Sequence, residues 1–175
     1  MRGDYIDFQD RSTPLAFLIT FRCYGTWLHG DERGSVGRNG SNRYGEPQIR
    51  ANATIREIDA RAQASEQFLM GSVEREIVRK AIREVCDVRH YHLYAMNVRT
   101  NHAHVVVNNA ARVERMMDSF KTYSTRDLRA AGLIASDYKP WSRHGSTRYL
   151  WTEEHIDAAV EYVINGQGGE LPNFG

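Results

Sequence analysis

The sequence has little cysteine and no long apolar run. Its 175 residues include two cysteines, Cys23 and Cys86, too few for a disulfide framework or a thiolate metal cage. No stretch approaches about 18 consecutive apolar residues, which excludes a membrane-spanning helix. The first ten residues hold three aspartates and no apolar segment, unlike a secretory signal. These absences predict a protein of the reducing cytoplasm.

Lysine is also scarce, and charge is unevenly distributed. The net charge is +1, but residues 112–151 carry eight Lys or Arg against four acids, whereas residues 152–175 carry five acids and no Lys or Arg. Twenty of the 23 basic residues are arginines, whose planar guanidinium suits phosphates and base edges. A preference for arginine codons explains this composition equally well. Charge alone therefore permits a nucleic-acid partner without requiring one.

The spacing of apolar residues predicts strands alternating with helices. The predicted strands are residues 14–24, 92–98, 102–108 and a short one at 147–151. The predicted helices are one capped by Ser72, one over residues 112–131 ended by Gly132, and one capped by Thr152. This order predicts a single domain, residues 1–175, of α+β class with helices on one face of an antiparallel sheet. We expect residues 25–71 to be a long irregular insertion after the first strand, and the sequence assigns it no role.

The clearest chemical signal is the motif His102-Ala103-His104 at the start of a strand. Side chains two residues apart on a strand point to the same side, about 7 Å apart, so both imidazoles reach one face. This arrangement suits two ligands of one divalent cation. A pair of surface histidines near a strand end is the alternative.

Two tyrosines on predicted helices are candidates for a nucleophile. Each helical residue turns by about 100°. In the last helix Tyr162 lies about 200° from Val160, the centre of the predicted apolar stripe, and so points away from the core. Tyr123 lies about 60° from Phe120 and is expected to be a core or boundary aromatic. The geometry favours Tyr162, with an ordinary surface tyrosine as the alternative.

Two amides follow Tyr162. Asn165 comes three residues later, on the same side of an unbroken helix. Gln167 reaches that side only if Gly166 and Gly168 loosen the helix. An amide oxygen with two histidines suits Mg²⁺ or Mn²⁺, whereas zinc more often recruits Cys, a third His or a carboxylate. An Asn cap in a flexible tail is the alternative.

Together these residues resemble the single-tyrosine HUH transposases, which comprise the IS200/IS605-type enzymes and their REP-associated relatives. The resemblance rests on the His-Ala-His motif and on Tyr162, which follows His104 by 58 residues. The segments 101–107, 148–151 and 161–163 fit the family's style. The resemblance runs from the first strand to about Gln167. It implies a ferredoxin-like antiparallel sheet, in agreement with the predicted order of elements.

The resemblance also implies a reaction. His102 and His104 would hold Mg²⁺ or Mn²⁺, which would polarise a DNA phosphate. Tyr162 would attack that phosphate, leaving a 5′-phosphotyrosine and a free 3′-OH, and a second 3′-OH would reseal the strand. The family's third ligand is a glutamine four residues after the tyrosine, where this chain has Gly166, so we expect Gln167 in that role, with Asn165 as the reserve.

The implied substrate is single-stranded DNA, with a hairpin expected, as in transposition or in processing of REP-like hairpins. The basic residues expected to contact it are Arg99, Lys121, Arg126, Arg143 and Arg148, each of which has a solvated surface charge as its alternative. We expect a homodimer, with a monomer as the alternative.

Three other functions compete with this hypothesis. A catalytically silent DNA-hairpin-binding regulator, descended from such a transposase, is the most serious of them. A histidine-triad nucleotide hydrolase needs a third alternating histidine, where this chain has Val106. A non-enzymatic scaffold is the third.

Overall fold

Four strands and three helices make up the fold within residues 13–26 and 67–166, which are the residues described by the computed structural model. The strands are β1 (Ala16–Cys23), β2 (Leu93–Val98), β3 (His102–Asn108) and β4 (Trp141–Leu150). The helices are α1 (Ser72–Arg89), α2 (Val113–Ala130) and α3 (Glu153–Asn165). The order β1-α1-β2-β3-α2-β4-α3 confirms the predicted alternation. Most of the 25–71 insertion lies outside the described residues.

The four strands form one antiparallel sheet in the order β2-β3-β1-β4. β2 and β3 make the predicted hairpin, and β1 lies between β3 and β4. The two central strands are apolar at consecutive positions, residues 16–19 and 105–107, as expected of strands covered on both faces. The α+β class and the antiparallel sheet are confirmed.

The helices cover both faces of this sheet, whereas the sequence predicted cover on one. Phe17 and Ile19 point to the face where α1 and α2 pack. Leu18, which alternates with them, points to the other face, where it packs with α3. Because successive side chains of a strand alternate, consecutive apolar residues need cover on both sides, and α3 supplies the second layer. We call this side the α3 face; it carries Ala16, Leu18, Ala95, Val106 and Leu150.

The helix ends agree with the sequence prediction in two of three cases. Thr152 caps α3, its hydroxyl accepting a hydrogen bond from the His155 backbone N–H at 3.2 Å. Gly132 follows α2 with φ of 70°, a conformation that glycine adopts most readily. The prediction that Ser72 caps α1 is wrong, because the helix already includes Ser72 and its N-cap position is Gly71. No helix in residues 13–26 and 67–166 combines the length and apolarity needed to cross a bilayer.

β4 is longer than predicted and irregular. It begins at Trp141 and includes the polar stretch 142–146, which an edge strand tolerates because one side of it is open. Its register with β1 shifts between Phe21, opposite Gly145, and Cys23, opposite Trp141. The strand therefore bulges at residues 142–144.

Candidate active site

His102 and His104 stand side by side on the α3 face. Every second side chain of β3 points to the same face, so His102 and His104 share the face of Val106, which packs against α3. Their ring centroids are 4.6 Å apart and the ring planes are inclined by 73°. His104 is buried and His102 half-buried. The structure thus brings both imidazoles together, as their spacing predicts.

Each ring has an oxygen partner at Nδ1. Thr20 Oγ1 lies 2.7 Å from His104 Nδ1, and Asn101 Oδ1 lies 2.6 Å from His102 Nδ1. An amide oxygen only accepts, so His102 donates from Nδ1. Histidines that bind metal ordinarily give one ring N–H to such an oxygen and ligate through the other nitrogen. An oxygen partner at Nδ1 is therefore a feature that both rings share with metal-binding histidines.

Tyr162 lies against His104. The two ring centroids are 5.6 Å apart, with the planes inclined by 70°, and the tyrosine is half-buried. The tyrosine is positioned by α3, whose buried residues Ile156, Ala159 and Val163 pack on the sheet. The three side chains predicted to be catalytic therefore meet on one face.

The buried stripe of α3 is rotated from the predicted one. The prediction centred the stripe on Val160, but Val160 is only half-buried, and Ile164, one turn further along the helix, is 57% exposed. Ala159 is fully buried instead. At about 100° per residue, Tyr162 lies about 60° from Ala159, at the edge of the stripe rather than opposite it. The tyrosine thus faces the histidines from the boundary of the core.

A side-chain hydrogen bond holds the end of α3 on the sheet. Asn97 Nδ2 donates to the backbone oxygen of Val163 at 3.0 Å. Asn97 lies opposite His104 in the β2–β3 register, so this bond joins the residue after Tyr162 to the strand beside the histidines. The sequence did not mark Asn97, because its role depends on the docking of a distant helix.

Burial favours the neutral forms of His104 and Tyr162. Burial lowers the pKa of His104 well below its usual value, and the charges of His102, Arg22 and Arg99 lower it further. Burial raises the pKa of Tyr162, and the charge of Arg22 opposes that shift. Neutral imidazole is the form that binds metal. Tyr162 keeps its phenolic proton until a reaction removes it.

Tyr123, the competing tyrosine, lies on the other side of the sheet. It packs against the core beneath α1 and α2, and the guanidinium carbon of Arg126 lies 4.5 Å from its ring centroid. Because His102 and His104 point to the α3 face, the sheet separates them from Tyr123. Its predicted place as a boundary aromatic agrees with the structure.

Asn165 is the one predicted amide ligand that the structure describes. It is exposed, and its Nδ2 donates to Glu161 Oε1 at 2.8 Å. Gln167 lies outside the described residues. Among the residues that are described, no cluster of three His, Cys, Asp or Glu side chains is suited to hold a metal ion. The identity of the third ligand stays a prediction.

Three of the predicted DNA-contacting residues lie near the end of the sheet that carries His102. Arg99 is exposed in the link between β2 and β3, and Arg143 is exposed near the start of β4. Lys121 of α2 reaches the same end, with Nζ 3.0 Å from the carbonyl oxygen of Ser142. Burial lowers the pKa of Lys121.

Arg126 and Arg148 lie elsewhere. On the side of α1 and α2, Arg126 pairs with Glu84 at 2.6 Å and with Asp127 at 2.7 Å. Arg148 is 3% exposed and lies opposite Leu18 in the sheet. Neither presents an exposed guanidinium beside the histidines.

Two polar residues of β1 that the sequence did not mark belong to the site. Thr20 lies opposite His104, and Arg22 lies opposite His102 in the β1–β3 register, so all four share the α3 face. The signal was a polar residue at every second position after Leu18. It acquires meaning only once the pairing with β3 is known.

Comparison with known proteins relates part of this chain to one family. Residues 60–163, more than half of the chain, match the family described as "Transposase IS200 like". The matched segment contains both histidines and Tyr162 but not β1. No curated protein sequence matches the chain significantly.

A solved structure, described as "Structure of the REP associates tyrosine transposase bound to a REP hairpin", is 12% identical with a TM-score of 0.45. The match covers 86% of this chain and 64% of that one, so this chain spans less than two thirds of that protein's length. A likeness at this level does not bear on what the present chain binds.

Proposed function

Because the chain belongs to the IS200-like transposase family, we propose that it cleaves single-stranded DNA through Tyr162 and rejoins it from the same residue. The observation that carries this proposal is the contact between the Tyr162 and His104 rings, 5.6 Å between centroids. That contact places a potential nucleophile beside a histidine pair in a positively charged setting. Attack on a phosphodiester needs a nucleophile and positive charge to offset the charge of the phosphate.

The histidine pair suits a divalent cation such as Mg²⁺ or Mn²⁺. His102 and His104 would hold it, because Asn101 and Thr20 already engage the Nδ1 atoms and orient both rings. A bound cation would supply Lewis-acid polarisation of a phosphate oxygen. Gln167 is our proposal for the third ligand, with Asn165 as the alternative.

Tyr162 supplies the attacking oxygen. Its phenolic proton passes to solvent, a bond forms from the phenolic oxygen to phosphorus, and the bond from phosphorus to the 3′ oxygen breaks with its electron pair. The departing oxygen takes up a proton from solvent and becomes a free 3′-OH. Attack by a 3′-OH on the phosphotyrosine reverses these steps. Because the number of phosphate ester bonds is conserved, rejoining needs no nucleotide cofactor.

The basic end of the sheet is the proposed track for the DNA backbone. Arg99 and Arg143 are exposed there, and Lys121 lies close by. Neutralising phosphates releases counterions, so affinity for single-stranded DNA should fall steeply with added salt. Arg126, already paired with carboxylates, and Arg148, buried in the sheet, are less suited to this contact. A hairpin substrate and a homodimer remain part of the proposal.

The test is covalent adduct formation with a labelled single-stranded hairpin oligonucleotide in Mn²⁺. We expect a denaturation-resistant adduct with the wild-type protein and none with Tyr162→Phe, because the substitution removes only the attacking oxygen. Tyr123→Phe is the matched control and should retain the adduct, since Tyr123 lies across the sheet from the histidines.

Two results would overturn the proposal. An adduct retained in Tyr162→Phe and lost in Tyr123→Phe would move the nucleophile to the other helix. Tight hairpin binding by the wild type without any adduct would favour the silent regulator instead.

A further inference from the structure

We propose that Arg22 is a further catalytic residue, which binds the scissile phosphate beside the histidine pair and Tyr162. This inference rests on the proposed function and names the side chain that neutralises the phosphate. Arg22 lies before the segment 60–163 that matches the family, so the match itself assigns it no role.

Arg22 lies on the same face of the sheet as the histidines, directly across from one of them. In the β1–β3 ladder it lies opposite His102, while Thr20 lies opposite His104. Directly opposed residues of antiparallel strands have Cβ atoms about 4.5–5.5 Å apart on the same face. The 2.7 Å bond between Thr20 Oγ1 and His104 Nδ1 identifies that face, and Arg22 is two residues further along it. Its side chain therefore begins next to the imidazole pair.

The strand on the other side of Arg22 is irregular at this point. β4 pairs with Phe21 and Cys23 but shifts register between them, so residues 142–144 bulge opposite Arg22. Such bulges bend a strand and redirect side chains, and they are frequent beside active sites. Arg22 is half-buried there, partly accessible to a ligand rather than sealed in the core.

The charges at this position favour an anion. The charge of Arg22 lowers the pKa of His104, of Tyr162 and of Lys121, so all three groups experience its positive potential. Within the described residues, every charge that shifts the pKa of His104 or Tyr162 is positive. Partly buried positive charges gain most when an opposite charge joins them. The phosphodiester attacked by Tyr162 brings that charge.

Arg22 suits this task better than the exposed arginines do. It lies on β1, which is paired on both sides, whereas Arg99 lies in a link and Arg143 on an edge strand. A guanidinium donates two parallel N–H bonds to a phosphate and stays charged throughout. It therefore stabilises the charge that grows on the non-bridging oxygens during attack, without taking or giving a proton.

Removing one pre-positioned donor to a transition-state oxygen ordinarily slows a reaction about 10²–10³-fold. We expect Arg22→Gln to slow adduct formation by that factor. Its affinity for a hairpin that ends before the scissile phosphate should stay at the wild-type value. Arg22→Lys keeps the positive charge but loses the two parallel N–H donors. Its rate of adduct formation should therefore lie between those of the wild type and Arg22→Gln.

The decisive substrate carries a methylphosphonate at the scissile position, tested as each diastereomer. This group replaces one charged oxygen with methyl and makes the diester neutral. If Arg22 neutralises the phosphate, the rate advantage of the wild type over Arg22→Gln disappears on the neutral diester. A purely structural role for Arg22 would leave the ratio of the two rates unchanged, because misplacement slows both substrates alike.

Arg83→Gln, an exposed change on α1, is the matched control and should leave both rates at the wild-type values. Should Arg22→Gln fail to fold, Arg22→Lys takes its place in the same comparison. Arg22→Gln that reacts at the wild-type rate, or a rate ratio equal on both diesters, would overturn the role of Arg22. Absence of any Tyr162 adduct with the wild type would instead overturn the proposed function, so the two failures are distinguishable.

Discussion

The histidines and the tyrosine belong to one chain in this structure, which predicts that two inactive variants do not rescue each other. His102→Ala removes one of the imidazoles and leaves Tyr162 intact, whereas Tyr162→Phe removes the nucleophile and leaves the histidines intact. If each chain completes its own site, a mixture of the two variants contains no complete site.

The absence of rescue depends on how firmly α3 is held on the sheet of its own chain. Ile156, Ala159 and Val163 are 8%, 0% and 0% exposed. Burial contributes about 1.5–3 kcal/mol for each Ile or Val side chain and about 0.8 kcal/mol for a methyl group, or about 4–7 kcal/mol together. The Asn97 hydrogen bond to Val163 adds about 1 kcal/mol. A freed helix regains conformational entropy, so this sum is an upper bound on the free energy of detaching α3.

The assay is adduct formation in an equal mixture of the two variants, with each variant alone as the baseline. A tyrosine that serves its partner would give mixed dimers with one complete site each, or about a quarter of the wild-type sites under random pairing. We expect no adduct above the baseline. Recovery near a quarter of the wild-type yield would refute the same-chain arrangement.

Two further predictions concern the packing of the sheet and the reactivity of the thiols. A Cβ at Gly145 would meet the backbone carbonyl of Thr20 and would lie 2.6 Å from Met117 Sδ, so Gly145→Ala should lower the free energy of unfolding by about 1–3 kcal/mol; an unchanged urea midpoint would contradict this. Burial raises the pKa of Cys23 to about 12, so its thiol should stay protonated and unreactive with a disulfide reagent near pH 8 until urea unfolds the protein. Rapid modification of Cys23 in the native protein would count against its buried position.

Much of the fold could be predicted from local patterns, because strands and helices have different apolar periods. The exceptions have physical causes. β4 was predicted short because residues 142–146 are polar, and an edge strand tolerates such residues. The place of α3 was missed although consecutive apolar residues such as Leu18 and Ile19 need cover on both faces. That requirement was present in the sequence, but only the strand order shows which helix meets it.

The site was predictable where its residues are close in sequence or share a motif. The spacing of His102 and His104 determined their common face. The helical angle favoured Tyr162 for a wrong reason, because Tyr162 lies about 60° from the centre of the buried stripe and not opposite it. Arg22 and Asn97 were not predictable in this way. Arg22 lies across a strand pair from His102, and Asn97 bonds to a docked helix. Strand register and helix docking are tertiary properties that no local pattern encodes.

The account depends on the nucleophile coming from α3 and on the DNA staying attached through its 5′ phosphate. The most direct measurement is mass spectrometry of the protease-digested covalent complex. We predict a nucleotide joined through its 5′ phosphate to the peptide that contains Tyr162. A nucleotide on Tyr123 or on any other residue, or one joined through its 3′ phosphate, would contradict the account.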